Sequence, residues 1–143
     1  MFRQVSDRVW ASPQITLDDV AAAATQGFAL IINNRPEGES DDQTPGESIA
    51  AAAQAAGLGY VAIPVTHAGF SQWQVTAMAE ALGQGDGKVL AYCRSGTRST
   101  LLWALAQASQ GADLEAITAQ ALSAGYDVSG VRPLMDMLAA SAK

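Results

Sequence analysis

Short apolar runs alternate with alanine-rich helical stretches between residues 8 and 111, and no other feature restricts the fold of this chain as tightly. "RVWAS" reads as a strand, and "TLDDVAAAATQG" as a helix with Thr16 at its N-cap and Gly27 as its terminator. "FALIINN" is an unbroken apolar strand. "TPGESIAAAAQAAGLG" is a helix with Pro45 near its first turn and Gly57 or Gly59 at its end. "YVAIPV" is a third strand whose Pro64 marks an end or an edge. "SQWQVTAMAEALGQG" follows as a helix capped by Ser71, and "KVLAYC" is a fourth strand. Strands that alternate with helices in this way predict an α/β fold: a central, mostly parallel sheet of four to five strands flanked by helices. After Cys93, "TRSTLLWALAQASQG", "DLEAITAQALSAG" and "GVRPLMDMLAASAK" are all helical. "YDVSGV" is too broken by Asp127, Ser129 and Gly130 to be a core strand, so only helices are expected after the Cys93 loop.

At 143 residues the chain is expected to form one domain, without repeats or linkers. No apolar run approaches the roughly 18 residues of a membrane span. "MFRQVSDRVW" lacks a signal-peptide pattern, so a cytoplasmic protein with no membrane partner is expected. One cysteine precludes an internal disulfide, and one histidine leaves too few ligands for an all-protein zinc site. No cofactor is expected. A net charge of -6 argues against nucleic acid, whose phosphates repel an acidic surface.

Against that acidic background, "KVLAYCRSGTRST" stands apart, because it sets Arg94 and Arg98 in one loop with the only thiol. Cys93 lies at the carboxyl end of a strand, in a turn that feeds a helix N-terminus. In open parallel sheets, ligands bind beyond the carboxyl ends of the strands. That rule gathers the loops at residues 33–45, 66–70 and 93–98. A thiol must become a thiolate to attack phosphorus or sulfur. The helix macrodipole and the two guanidinium groups favour the anion. Ser95, Gly96, Thr97 and Arg98 can turn successive N–H groups inward as a nest, with Gly96 admitting a positive φ. Arg98, where loop becomes helix, suits a bidentate clamp on an oxyanion. Arg94 either joins the anion site or points outward. Arg35, in "NNRP", either adds a third cation at the rim or pairs with Glu37 or Glu39 to hold its loop. Trp73 and Trp103 fall at helical positions that suit core packing.

"CRSGTRS", with "INNRPEGE", "YVAIPV" and "AGYD", resembles a small bacterial family, the beta-lactamase-hydrolase-like protein, phosphatase-like domain, over residues 9–127. That family is also described as a sulfur transferase family. The resemblance implies a fold like the dual-specificity and tyrosine phosphatases, a nucleophile at Cys93 and an anion-binding Arg98. Gly96 and Ser99 also have counterparts in it. Some relatives carry the domain fused to a metallo-beta-lactamase-like hydrolase, which implies such a hydrolase as a partner.

The sequence departs from the tyrosine-phosphatase pattern of His-Cys-x5-Arg in two places. Tyr92 replaces the histidine, and only residues 94–97 separate Cys93 from Arg98. One missing residue removes up to ~3.6 Å of backbone reach, so a tighter cradle is expected. Loops of this shorter length are similar to those of single-domain rhodaneses, which accept sulfane sulfur. Rhodaneses, however, usually have a further strand after the loop, and here only helices follow. Where dual-specificity enzymes carry a general-acid aspartate, "YVAIPVTHAGF" has Thr66 and His67. His67 can serve, since an imidazole titrates near neutral pH. Glu37, Glu39, Asp41 and Asp42 are alternative acids. Sulfur transfer needs no acid, because sulfite or a thiolate leaves unprotonated.

Three functions remain open: a phosphatase-like hydrolase of phosphate monoesters, a sulfurtransferase carrying a Cys93 persulfide, and a non-catalytic anion-binding module. The first leads on fold and family. The substrate expected is a small anion, a phosphate ester or a sulfane-sulfur donor. Cys93, Arg98 and His67 are its expected catalytic residues, with Arg94, Ser95, Gly96, Thr97, Ser99 and Arg35 around the anion.

Overall fold

The computed structural model describes residues 2–142; Met1 and Lys143, at the ends of two of the segments quoted above, lie outside them. Five strands form one sheet: β1 (Arg3–Gln4), β2 (Val9–Ser12), β3 (Phe28–Asn33), β4 (Gly59–Ala62) and β5 (Lys88–Tyr92). Their order is β1-β2-β5-β3-β4, with β1 antiparallel to β2 and every other pair parallel. The most continuous apolar runs take the centre, because β3 and β5 are covered on both faces. Ile31, Leu90 and Tyr92 face one slab of core, which includes Ile15, Val20, Ile49 and Leu58. Ile32, Val89 and Ala91 face the other, with Met78, Leu102, Trp103, Leu105, Ile117 and Met135. Successive strand residues thus divide between the two slabs, as a period of two requires.

Helices α1 (Leu17–Thr25) and α2 (Gly46–Ala55) cover the first slab, and α3 (Gln72–Gly83), α4 (Thr97–Ser109), α5 (Leu114–Ser123) and α6 (Arg132–Ser141) cover the second. The signals read from the sequence set the helix ends. The Thr16 hydroxyl accepts the Asp19 N–H at 3.1 Å, and the Asp19 carboxylate accepts the Thr16 N–H at 2.8 Å, a reciprocal cap. At Ser71 the N–H donates to the Gln74 side chain at 2.8 Å, and the Gln74 amide donates onward to the Pro64 carbonyl at 2.9 Å. That second bond ties the start of α3 to the segment that follows β4.

The strand expected in "YVAIPV" begins one residue earlier, at Gly59, and ends at Ala62. Pairing continues past it, with the N–H of Ile63 on the Asn33 carbonyl and that of Val65 on the Asn34 carbonyl, both at 2.9 Å. Two residues paired only with β2 make up β1, too short to show an alternation. Among the described residues, only α4, α5, a 3-10 turn (Ser129–Val131) and α6 follow the Cys93 loop. No helix among the described residues is long and apolar enough to cross a membrane.

Trp103 is buried, as expected, but Trp73 is 55% exposed. The buried stripe of α3 runs through Gln74, Val75, Met78, Ala81 and Leu82. At ~100° per residue, position 73 points well away from the middle of that stripe.

Candidate active site

At the carboxyl ends of β5, β3 and β2 three backbone segments meet. The Cys93 N–H donates to the Ser12 carbonyl at 3.3 Å, the Gln14 N–H to the Arg94 carbonyl at 3.2 Å, and the Asn34 N–H to the Tyr92 carbonyl at 2.8 Å. Cys93 is therefore anchored from both neighbouring strands and fully buried. Its sulfur accepts the Gly96 N–H at 3.1 Å. Gly96 makes this turn with φ 93°, and a Cβ there would overlap the Tyr126 hydroxyl. Thr100 closes the loop from α4, with its N–H and its hydroxyl on the Gly96 carbonyl at 3.1 and 2.9 Å.

The loop's remaining donors are open. The Thr97 N–H goes to the Ser95 hydroxyl at 3.3 Å, whereas those of Arg94, Ser95, Arg98 and Ser99 have no acceptor among the described residues. These N–H groups cluster at the N-terminus of α4, where partial positive charge accumulates.

Arg98 is held from the 33–45 loop and from Val65, the residue just before the 66–70 loop. Its Nη1 donates to Glu39 Oε2 at 2.6 Å and to the Val65 carbonyl at 2.7 Å, and its Nη2 donates to Glu39 Oε1 at 2.9 Å. A guanidinium carries N–H groups on Nε, Nη1 and Nη2. Among the described residues the Nε–H and one Nη2–H take no hydrogen-bond acceptor, a side-on fork suited to two oxygens of an oxyanion. Glu39 and then the Cys93 sulfur hold the Arg98 guanidinium above its ordinary range, against the opposing effect of burial.

Glu39 also takes the Nε–H of the buried Arg35 at 3.0 Å. Arg35 directs its other nitrogens to Gln14 Oε1 at 2.9 Å and Ser40 Oγ at 3.0 Å. Of the two roles open to Arg35, the geometry is that of the loop-holding pair with Glu39, with its donors turned to loop acceptors. Hydrogen bonds from Arg98, then from Arg35, lower the Glu39 carboxyl to about 2 despite its burial. Glu39 is thus a fixed anion and not a proton donor near neutral pH. Glu37 accepts the Gly46 N–H at 3.0 Å at the start of α2. Asp42 accepts the Ser40 hydroxyl at 2.6 Å, which holds it below the usual carboxylate range. Of the acidic run proposed as alternative acids, only Asp41 has no such tie among the described residues.

His67 sits exposed in the turn at residues 66–69, where the Ala68 N–H donates to the Thr66 hydroxyl at 3.1 Å. Arg94 is exposed, and its guanidinium makes no hydrogen bond or ion pair among the described residues. Ser99 is buried with an unpartnered hydroxyl, and so is Tyr92, whose phenol burial pushes well above its ordinary range. Tyr92 therefore stands in the phosphatase histidine position as a neutral core residue. The sequence missed Ser12 and Gln14, although β2 pairs parallel with β5 and its carboxyl end had to lie here. Tyr126 also went unexplained; it packs on Gly96 and donates to the Ser95 carbonyl at 3.3 Å.

A mostly parallel sheet whose central strand leads into Cys93, a tight amide loop, an arginine at the following helix and helices thereafter define a tyrosine-phosphatase-like fold. The chain belongs to the family described as beta-lactamase hydrolase-like protein, phosphatase-like domain, which matches residues 1–110. It is 35% identical over 107 residues to a beta-lactamase hydrolase-like protein of Xylella fastidiosa; the match covers 75% of this chain and 25% of that one. The chain therefore spans about a quarter of that relative's length. Among solved structures, a presumed phosphatase from Neisseria meningitidis superposes with a TM-score of 0.82 at 32% identity, covering 95% of this chain and 96% of that one. Tk-PTP in its active form superposes with a TM-score of 0.73 at 17% identity, over 97% of this chain and 96% of that one, a likeness of fold. The family and fold are those of phosphatase-type hydrolases.

Proposed function

We propose that this chain hydrolyses phosphate monoesters with Cys93 as nucleophile. The open fork of Arg98, set beside a sulfur that already takes the Gly96 N–H, carries this reading. The Cys93 thiolate attacks phosphorus in line with the ester oxygen. An S–P bond forms as the P–O bond breaks, and the leaving oxygen takes a proton from water or from His67. The three non-bridging oxygens bind the open N–H groups of Arg94, Ser95, Arg98 and Ser99 and the Arg98 fork. Water then adds to phosphorus and loses a proton, the S–P bond breaks, and inorganic phosphate leaves with the thiolate restored. The proposed setting is the cytoplasm, where a lone reactive thiol stays reduced. Because the relatives are far longer than the matched segment and are named as beta-lactamase hydrolase-like, a hydrolase of that kind is the proposed partner.

The short loop, and a Glu39 held ionised by Arg98 and Arg35, favour a second reading, sulfur transfer. There the thiolate attacks the outer sulfur of thiosulfate, the S–S bond breaks, and sulfite leaves with the bonding pair. Intact-protein mass after brief incubation with an aryl phosphate, and separately with thiosulfate, tests the two readings against a Cys93→Ser control. A phosphoryl adduct with phenol release is expected, absent from the control. Gain of one sulfur instead replaces the first reading with the second. If neither adduct forms and the thiol resists alkylation, a binding module is left.

A further inference from the structure

We propose that Tyr126, from the "AGYD" segment beyond residues 1–110, is a positioning residue that orients the one loop peptide whose N–H faces the Cys93 sulfur. The inference rests on Cys93 acting as a thiolate. The peptide between Ser95 and Gly96 has hydrogen bonds on both sides. Its carbonyl accepts the Tyr126 hydroxyl at 3.3 Å, and its N–H donates to Cys93 Sγ at 3.1 Å. In a trans peptide these two groups point in opposite directions. The phenol therefore fixes which edge of the peptide meets the sulfur. Rotated by half a turn, the same peptide would present its carbonyl oxygen to the sulfur and oppose a negative charge there.

The surroundings of Tyr126 suit a fixed donor. It is 6% exposed, and its own N–H is tied to the Ala121 carbonyl at 2.9 Å. The Arg3 guanidinium lies over its ring, 5.4 Å from the centroid. Gly96 has no side chain to block the approach, and the position its Cβ would take is filled by the phenol. Burial is the main reason the phenol is held above its ordinary range, so it stays protonated and able to donate. The charged groups placed against this unit are Arg98 from α4, with Glu39 on its far edge, and Arg3 over the Tyr126 ring.

Removing the hydroxyl frees the peptide to rotate and weakens the thiolate. The test is Tyr126→Phe, read by ultraviolet thiolate absorbance against pH with Cys93→Ser as the blank. Thiolate formation is expected to move up by about half to one pH unit. No substrate is needed. A wild-type thiol that ionises only in the ordinary cysteine range overturns both the nucleophile assignment and this role. A low wild-type midpoint that Tyr126→Phe leaves in place overturns the Tyr126 role alone. If the variant folds poorly, the Gly96 amide resonance of the unaltered protein decides. It is expected to shift with the Cys93 titration, and an indifferent resonance overturns the proposal.

Discussion

Glu39 and Arg98 make the clearest case at the scale of single residues. The carboxylate takes the end-on pair of guanidinium donors and leaves the side-on pair open, so one contact both orients the arginine and sets aside its binding edge. Glu39→Gln removes the charge and one acceptor, and Arg98 loses its fixed pose. A fall in kcat/KM on an aryl phosphate of about tenfold or more is expected, with Glu39→Asp intermediate. A pH effect follows with a definite sign. Because the folded state holds the Glu39 carboxyl at about 2, against 4.5 when free, its contribution to stability is complete above 4.5 and disappears as pH falls toward 2. Acid unfolding followed by circular dichroism is expected to show that loss in the wild type and not in Glu39→Gln. Glu39 stood in the sequence as one acid in an acidic run and as one of two possible partners of Arg35. The distinction came from Arg98, 59 positions away.

At the level of elements, the strand–loop–helix unit depends on a glycine used in two ways. Gly96 supplies a positive φ, and its missing side chain admits Tyr126. Gly38 also has a positive φ, 73°, but nothing lies within 4 Å of the Cβ it lacks. Gly38→Ala is therefore expected to cost about 1–2 kcal/mol from backbone strain alone. Gly96→Ala is expected to cost about 1–3 kcal/mol more, because the phenol must move. Urea unfolding of the two variants gives the difference; equal costs would mean that the phenol yields freely. The helix starts at Thr16 and Ser71 were legible because caps are local chemistry. The two-residue β1 was not, since it exists only through pairing with β2. Trp73 misled because an apolar residue at helical spacing does not say which way the helix is rotated.

Across the whole molecule, the core runs past the family match. Ile117, Ala121, Tyr126, Val128 and Met135 belong to the same cluster as Trp103 and Leu105. A chain cut after Gln110 is expected to lose cooperative unfolding, because α4 would expose the side that α5 and α6 cover. Met135→Ala, at a fully buried position, is expected to cost about 2–5 kcal/mol in chemical denaturation.

The alternation of apolar runs and capped helices determined the α/β sheet, and "CRSGTRS" determined the strand–loop–helix unit that holds the proposed site, because both are written in neighbouring residues. Sheet order, the grip of Glu39 on Arg98 and the approach of Tyr126 to Gly96 were decided only by the tertiary structure. Each joins residues far apart in the chain. Their pairing depends on distances that exist only once β5 lies between β2 and β3, and α5 and α6 have packed on α4.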